Sequence, residues 1–429
     1  MFIGHSKGLG LLFMTEMWER FSFYTLRALL VLYMVSKTLD GGLGWTRKEA
    51  FTLYGMYLGM AYVTPVIGGY LSDRFLGQRR SAMIGAILMA WGHLLMAVQS
   101  LPFFYAALSL VAIGNGFFKP CLTSILGQLY DDSTESHRDS AYSIFYMGIN
   151  IGGMLAGFVS GWMLEAYGYD AGFAIAGLGM IIATLIFWWG QNRYLGDIGI
   201  KPTVKVVDHH AAPLTKEEKS RLFVVFILFL IVICFVTAWE QMGGLVTIFI
   251  QENVDRTIGN WTIPTPWLAN LDPLFIVFLA PLFSILWVKL GEMEMDPFIG
   301  IKIGIGCLFL AGSFIILGYM VREISENGTL PHWSWIVLNK FLMVIGELCV
   351  IPISWAAATK LSPKSYISRV MGFMLAGIGV GSYLAGRVGA LVDEVGEQAI
   401  FDTITIALCL LSVICILLNG KLKKLTHHQ

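Results

Sequence analysis

The sequence predicts an all-α membrane protein with about twelve spanning helices, and three observations carry that prediction. Hydrophobic residues make up 56% of the 429 residues and charged residues only 14%, whereas soluble domains run nearer half apolar and a quarter charged. The apolar residues come in long runs: Leu101 to Leu126, Phe223 to Ile250 and Phe401 to Leu418 each approach or exceed the roughly 20 residues that cross about 30 Å of hydrocarbon. The short alternating segments of a closed β-barrel are absent. Helices remain as the other structure that satisfies every backbone polar group in lipid.

Spans are read near residues 10–36, 48–72, 80–98, 101–126, 139–163, 171–190, 222–250, 266–290, 299–320, 333–360, 366–391 and 400–419. A polar stretch from Arg193 to Arg221, with Pro202, Pro213 and the run LTKEEKSR, splits them. The expected organisation is an N-terminal six-helix bundle at 1–195, a cytoplasmic linker at 196–220, and a C-terminal six-helix bundle with a short tail at 221–429. Cations set the orientation, because cytoplasmic loops carry an excess of Lys and Arg. With both termini inside, the groups Arg74, Arg79 and Arg80; Lys201, Lys205, Lys216, Lys219 and Arg221; Lys360, Lys364 and Arg369; and Lys421, Lys423 and Lys424 are all cytoplasmic. The opposite side keeps only Lys37, Arg47, Lys48, Arg256 and Arg322. The triplets Asn260-Trp-Thr and Asn327-Gly-Thr fall in outside loops and are read as unmodified chance matches.

Composition also excludes classes. The net charge is zero, so no basic face points to nucleic acid. The six cysteines lie inside apolar runs without zinc-type spacing or a disulfide framework. His209 and His210 sit in the linker without partner ligands, so neither metal nor cofactor is expected. No nucleophile elbow and no phosphate-binding Gly-Lys-Ser loop is present, so the chain reads as neither an enzyme nor an ATP-driven pump. The first ten residues are too polar for a cleavable signal, and the first span is expected to stay as an anchor.

Ionisable residues nevertheless remain within the spans: Glu16, Glu19, Arg20, Arg27, His93, Lys119, Glu240, Asp272, Lys340, Glu347 and Arg387. Each costs about 2.5–3.5 kcal/mol at a helix centre on the lenient scale, so together they call for a polar cavity and make a solute pathway the first reading. In TEMWERFSFYTLRALL, Glu16, Glu19 and Arg20 stand at i, i+3 and i+4, and Tyr24 and Arg27 continue that face. Close carboxylates titrate as a coupled set, so this stripe is a candidate proton site; the competing reading is a static ion-pair network. His93 is read first as a structural histidine that finds hydrogen bonds and second as a proton relay. Trp18 is read as lipid-facing, and Asp73, Arg74, Arg79 and Arg80 as a conformational latch.

Five stretches in order carry a family resemblance. Glu16-Met-Trp-Glu19-Arg20 followed by FSFY resembles the first helix of proton-coupled oligopeptide transporters, a branch of the major facilitator superfamily. GGYLSDRFLGQRR resembles the superfamily loop between helices 2 and 3, GNGFFKP the family's lysine-bearing helix 4, FYMGINIGG its helix 5 and GELCVIPISWAAATKLSP its helix 10. The resemblance implies the major facilitator fold and a symporter importing di- and tripeptides by alternating access. It implies proton coupling at Glu16, Glu19, Arg20 and Glu240, and substrate binding by Arg20, Tyr24, Arg27, Tyr62, Lys119, Asn150, Glu240, Asp272 and Glu347. Gate salt bridges would join Arg27 to Glu240 and Lys119 to Glu347. The implied partners are a di- or tripeptide, protons and the lipid bilayer, for a monomer in a bacterial inner membrane. Other solutes (nitrate, an amino acid derivative, a peptide-like drug) and a non-transporting peptide sensor are the alternatives. The chain departs from the family at Phe23, Val236 and Met374, where aromatic or hydroxyl-bearing residues are usual, and at Asp272, which stands in place of asparagine and is paired here with Lys340 as a hypothesis.

Overall fold

Apolar runs long enough to cross a bilayer fold as helices because the backbone then satisfies itself, and this is the pattern in the computed structural model, which describes residues 5–98, 100–131, 134–202, 215–295, 297–363 and 366–426. The helices are α1 Lys7–Val35, α2 Arg47–Leu71, α3 Gln78–Met96, α4 Leu101–Leu129, α5 Glu135–Tyr167, α6 Tyr169–Tyr194, α7 Lys216–Trp239, α8 Leu245–Asn253, α9 Thr265–Ala269, α10 Asp272–Glu292, α11 Ile299–Asn327, α12 Ser334–Leu361, α13 Ile367–Gly389, α14 Val392–Val395 and α15 Glu397–Thr426. A two-stranded hairpin, β1 Thr257–Ile258 and β2 Trp261–Thr262, lies between α8 and α9. Among the described residues, 10 helical stretches are long and apolar enough to cross a membrane. Helices α1 and α3 fall outside that set. The first carries Lys7, Glu16, Glu19, Arg20 and Arg27, and the second is short and opens on Arg79 and Arg80. His209, His210 and Pro213 lie outside the described residues.

Two predicted spans are broken. The seventh ends as an α-helix at Trp239, tightens into a 3₁₀ turn at Glu240–Met242, and restarts as α8 after Gly243 and Gly244. Each glycine costs a helix about 1 kcal/mol relative to alanine, so the pair favours a break. The eighth is divided at Asn270 and Leu271, ahead of Asp272-Pro273. Proline disfavours helix for the residue before it and suits the first helical turn after it. Helix α7 also begins inside the stretch read as linker: Thr215 and Glu218 cap each other's backbone N–H at 3.1 and 2.8 Å, a capping box that makes Lys216–Arg221 helical.

The chain packs into two units that do not follow chain order. The first comprises Met1–Trp45, Met60–Val207 and Pro264–Leu274; the second comprises Thr46–Gly59, Asp208–Ile263 and Phe275–Gln429. The core of the first unit is built on Leu9, Leu12, Met89, Phe118, Ile125 and Phe187, and Trp18 packs partly buried against it. Close approach of α2 and α4 in this unit requires glycine, since a Cβ on Gly68 would lie 2.1 Å from the Gly116 carbonyl oxygen. Helix α5 is similar, with a Cβ on Gly152 falling 2.2 Å from the Met17 carbonyl oxygen. Those glycines belong to the GGYLSDRF, GNGFFKP and FYMGINIGG stretches. In the second unit, the first half of α2 rests on α13, with Gly55 facing Gly386.

Candidate functional site

Helix α1 carries its charged face into the interior of the first unit, where Glu16, Glu19 and Arg20 are 2%, 0% and 3% exposed. The sequence leaves open which of the two acids holds the arginine more closely. The structure gives the closer pairing to the adjacent Glu19. Arg20 Nη2 donates to Glu19 Oε1 at 2.5 Å and Arg20 Nε donates to Glu19 Oε2, while Nε stands 3.4 Å from Glu16 Oε1. Neighbouring residues on a helix point about 100° apart, so a bidentate pair forms only where long side chains are walled in. Two walls are evident. Asn115 of α4 accepts from Arg20 Nη2 at 3.4 Å and donates to the Ala61 carbonyl at 2.7 Å. The Phe23 ring lies 4.7 Å from the guanidinium carbon, so the phenylalanine offers its π face to the cation. Asn115 carries this role and was missed in the sequence; it sits in the GNGFFKP stretch four residues before the lysine.

Lys119 follows one turn along α4, with Nζ 5.4 Å from the Tyr62 ring centroid. It lies within electrostatic range of Arg20, Glu16 and Glu19, yet among the described residues it forms no ion pair. Tyr24, one turn beyond Arg20, is half-buried beside Gly153 of α5. Asn150 of α5 is 6% exposed and spends its amide on the Tyr146 carbonyl at 3.0 Å. Arg27 is half-buried on α1, and Asp272 is half-buried in the first turn of α10. His93 is fully buried, and neither ring nitrogen has a hydrogen-bond partner among the described residues, so the expected hydrogen bonds are not there.

The second unit holds the remaining candidates. Glu240 lies in the 3₁₀ turn after α7, 2% exposed, and accepts from the Ser382 hydroxyl at 3.4 Å. Glu347 of α12 accepts from the Trp239 indole at 3.2 Å; the sequence pointed to Glu240 in AWEQMGG and passed over the tryptophan before it. Lys340 is fully buried in α12, and Arg387 is exposed near the end of α13 rather than interior. A further ion cluster also escaped notice. Arg47, the first residue of α2, pairs with Glu252 of α8 and at 3.2 Å with Glu397 of α15, and Lys48 pairs with Glu394 at 2.9 Å. Nothing in local spacing joins residues some 200 to 350 positions apart.

Family-level comparison fits this charge pattern to a known group. The model described as POT family matches residues 79–204 and 193–405. The chain belongs to the POT family. It is 31% identical to the peptide transporter of Yersinia enterocolitica subsp. palearctica, over 100% of this chain and 96% of that protein. It is 28% identical to the di-/tripeptide transporter of Lactococcus lactis subsp. cremoris, over 99% of this chain and 97% of that one. Among solved structures, the peptide transporter POT in complex with sulfate is similar at a TM-score of 0.92 and 29% identity, over 99% of this chain and 96% of that one. The fold is that of the major facilitator transporters, and the protein is an integral membrane protein of a transporter family.

Proposed function

We propose that this protein is a proton-coupled symporter importing di- and tripeptides by alternating access. The observation that carries the reading is the asymmetry between two neighbouring cations: Arg20 is saturated by carboxylates, while Lys119 has no ion pair among the described residues. With Glu16, Glu19, Arg20 and Lys119 all ionised, the group is neutral. Protonating one acid leaves it positive, which favours a peptide carboxylate and so ties substrate affinity to proton loading. Kinship with proteins named as peptide and di-/tripeptide transporters supports the same substrate class here.

In this reading Arg20 and Lys119 receive the peptide carboxylate, and Tyr24, Tyr62 and Asn150 hold its backbone. Glu347, oriented by the Trp239 N–H, receives the amino group, and Asp272 adds an acid to the substrate site. Glu16, Glu19, Arg20 and Glu240 form the proton-coupling set. Salt bridges Arg27–Glu240 and Lys119–Glu347 exchange partners as proton and peptide arrive. The bundles 1–195 and 221–429, joined by 196–220, supply the rocking elements. Both termini face the cytoplasm of a bacterial inner membrane, and the transporter works as a monomer without cofactor, metal or nucleic acid.

The test is uptake of labelled dialanine into proteoliposomes under an inward proton gradient. Accumulation is expected for the wild type and is lost in Glu347→Gln. Glu19→Gln retains exchange of peptide for peptide but loses gradient-driven accumulation. Binding of dialanine without uptake would replace this reading with a peptide sensor. Uptake of nitrate or an amino acid derivative that unlabelled dipeptides do not inhibit would replace the substrate.

A further inference from the structure

Away from the charged interior, α3 and α6 enclose a groove of about 440 Å³ at the end of the first unit where α3 begins and α6 finishes. Its polar lining is Arg79, Arg80, Gln191 and Asn192, and its apolar wall is Met83, Ile84 and Ile200. Arg79 and Arg80 belong to the stretch read as a conformational latch, and none of the lining residues is among those assigned to proton or peptide.

Three observations describe what the groove accepts. First, it is cationic. Asp197 is exposed and acts electrostatically on Arg79, but Arg80 has no ion pair among the described residues. Second, its hydrogen-bonding capacity is incompletely used. Arg79 is 4% exposed, and its Nη2 donates to the Gly196 carbonyl at 2.5 Å, yet its Nε–H has no acceptor among the described residues. An unmet donor on a buried cation is costlier than one on a neutral group. The first turn of the 19-residue α3 is closed by backbone, the Arg79 N–H donating to the Gly199 carbonyl at 3.0 Å, so the charge of the groove comes from its side chains. Third, the groove opens onto an apolar seam. On α3, Ile84, Ile87 and Trp91 are 39%, 44% and 58% exposed at i, i+3 and i+7, and on α6 Trp188, one turn before Asn192, is 62% exposed. A soluble anion has no use for that seam, whereas an amphiphile needs both the cationic mouth and the apolar track.

We propose that the groove is a binding site for an anionic phospholipid. Its phosphate is held by Arg80, beside the partly unsatisfied Arg79. The glycerol and headgroup oxygens meet Gln191 and Asn192, and an acyl chain runs along Ile84, Ile87 and Trp188. The site rests on the membrane location of the protein and is independent of which solute it carries.

Native mass spectrometry of the full chain, delipidated in detergent, tests this with phosphatidylglycerol and phosphatidylcholine of identical acyl chains. Phosphatidylglycerol adducts are expected at several-fold lower lipid concentration than phosphatidylcholine adducts. Arg80→Gln, at an exposed position, is expected to shift the phosphatidylglycerol titration by roughly tenfold and leave phosphatidylcholine unchanged. Arg322→Gln, a cation on α11 paired with Asp402, is the control and is expected to change neither. Equal binding of the two lipids, an unshifted Arg80→Gln, or equal loss in Arg322→Gln would each overturn the site. Displacement of phosphatidylglycerol by millimolar inorganic phosphate would assign the groove to a soluble anion and overturn the lipid.

Discussion

Arg20 is the side chain on which most of the interior chemistry converges: it holds Glu19 with two donors, approaches Glu16, reaches Asn115 and lies over Phe23. Lysine would keep the charge and lose the planar fork. Arg20→Lys is therefore expected to lower dialanine uptake by about ten- to a hundredfold, the equivalent of roughly 1.5–3 kcal/mol for a charge-assisted hydrogen bond, with initial-rate uptake as the measurement. An unchanged rate would remove the fork from the mechanism. Trp239 acts at one remove, through its hydrogen bond to Glu347. Trp239→Phe keeps the ring and deletes the N–H. It is expected to raise the KM for dialanine about two- to tenfold and, in a Glu347→Gln background, to leave the equilibrium binding of labelled dialanine to the detergent-solubilised protein no weaker than in Glu347→Gln alone. Additive effects in the double variant would show that the tryptophan works by another route.

At the scale of elements, glycine contacts and ion pairs decide which helix touches which. The α2–α4 crossing rests on Gly68 and Gly116, where a Cβ on Gly116 would lie 2.7 Å from Thr64 Cβ. Gly116→Val overfills that crossing. It is expected to lower the melting temperature of the detergent-solubilised protein, corresponding to about 1–3 kcal/mol, and a wild-type melting curve would contradict the close packing. The Arg47 cluster anchors the first half of α2 to α8 and α15 within the second unit. Arg47→Gln removes both partners, and amide hydrogen exchange at residues 47–59 is expected to quicken. Lys48→Gln breaks only an exposed pair, 61% and 54% accessible, and is expected to leave exchange unchanged, since such pairs contribute about 0–1 kcal/mol. Equal responses would mean that the cluster does not anchor the helix.

For the whole molecule, the proposed coupling makes a thermodynamic claim. One proton carried with a neutral peptide draws about 2.3 kcal/mol from 100 mV of membrane potential and about 1.4 kcal/mol from one pH unit. The potential alone is then expected to sustain dialanine accumulation of up to about fiftyfold, and the pH unit alone up to about tenfold. Proteoliposomes with potassium and valinomycin separate the two terms. Accumulation that ignores the potential would contradict cotransport of a proton with a neutral solute.

The spans, the buried charges and the family stretches were legible in the sequence because each is a property of a short segment. About 20 apolar residues in a row must form a helix in lipid, and charges set among them must face something polar. The positions of Glu16, Glu19, Arg20 and Lys119 follow from that alone. The tertiary structure decided what joins segments far apart in the chain: Glu19 rather than Glu16 as the arginine's close partner, Asn115 from 95 residues away, and Trp239 on Glu347 across 108. It also decided that 46–59 packs with the second unit and 264–274 with the first. Hydropathy sums over neighbours along the chain, whereas a hydrogen bond or a glycine contact depends on which surfaces meet after the chain has folded.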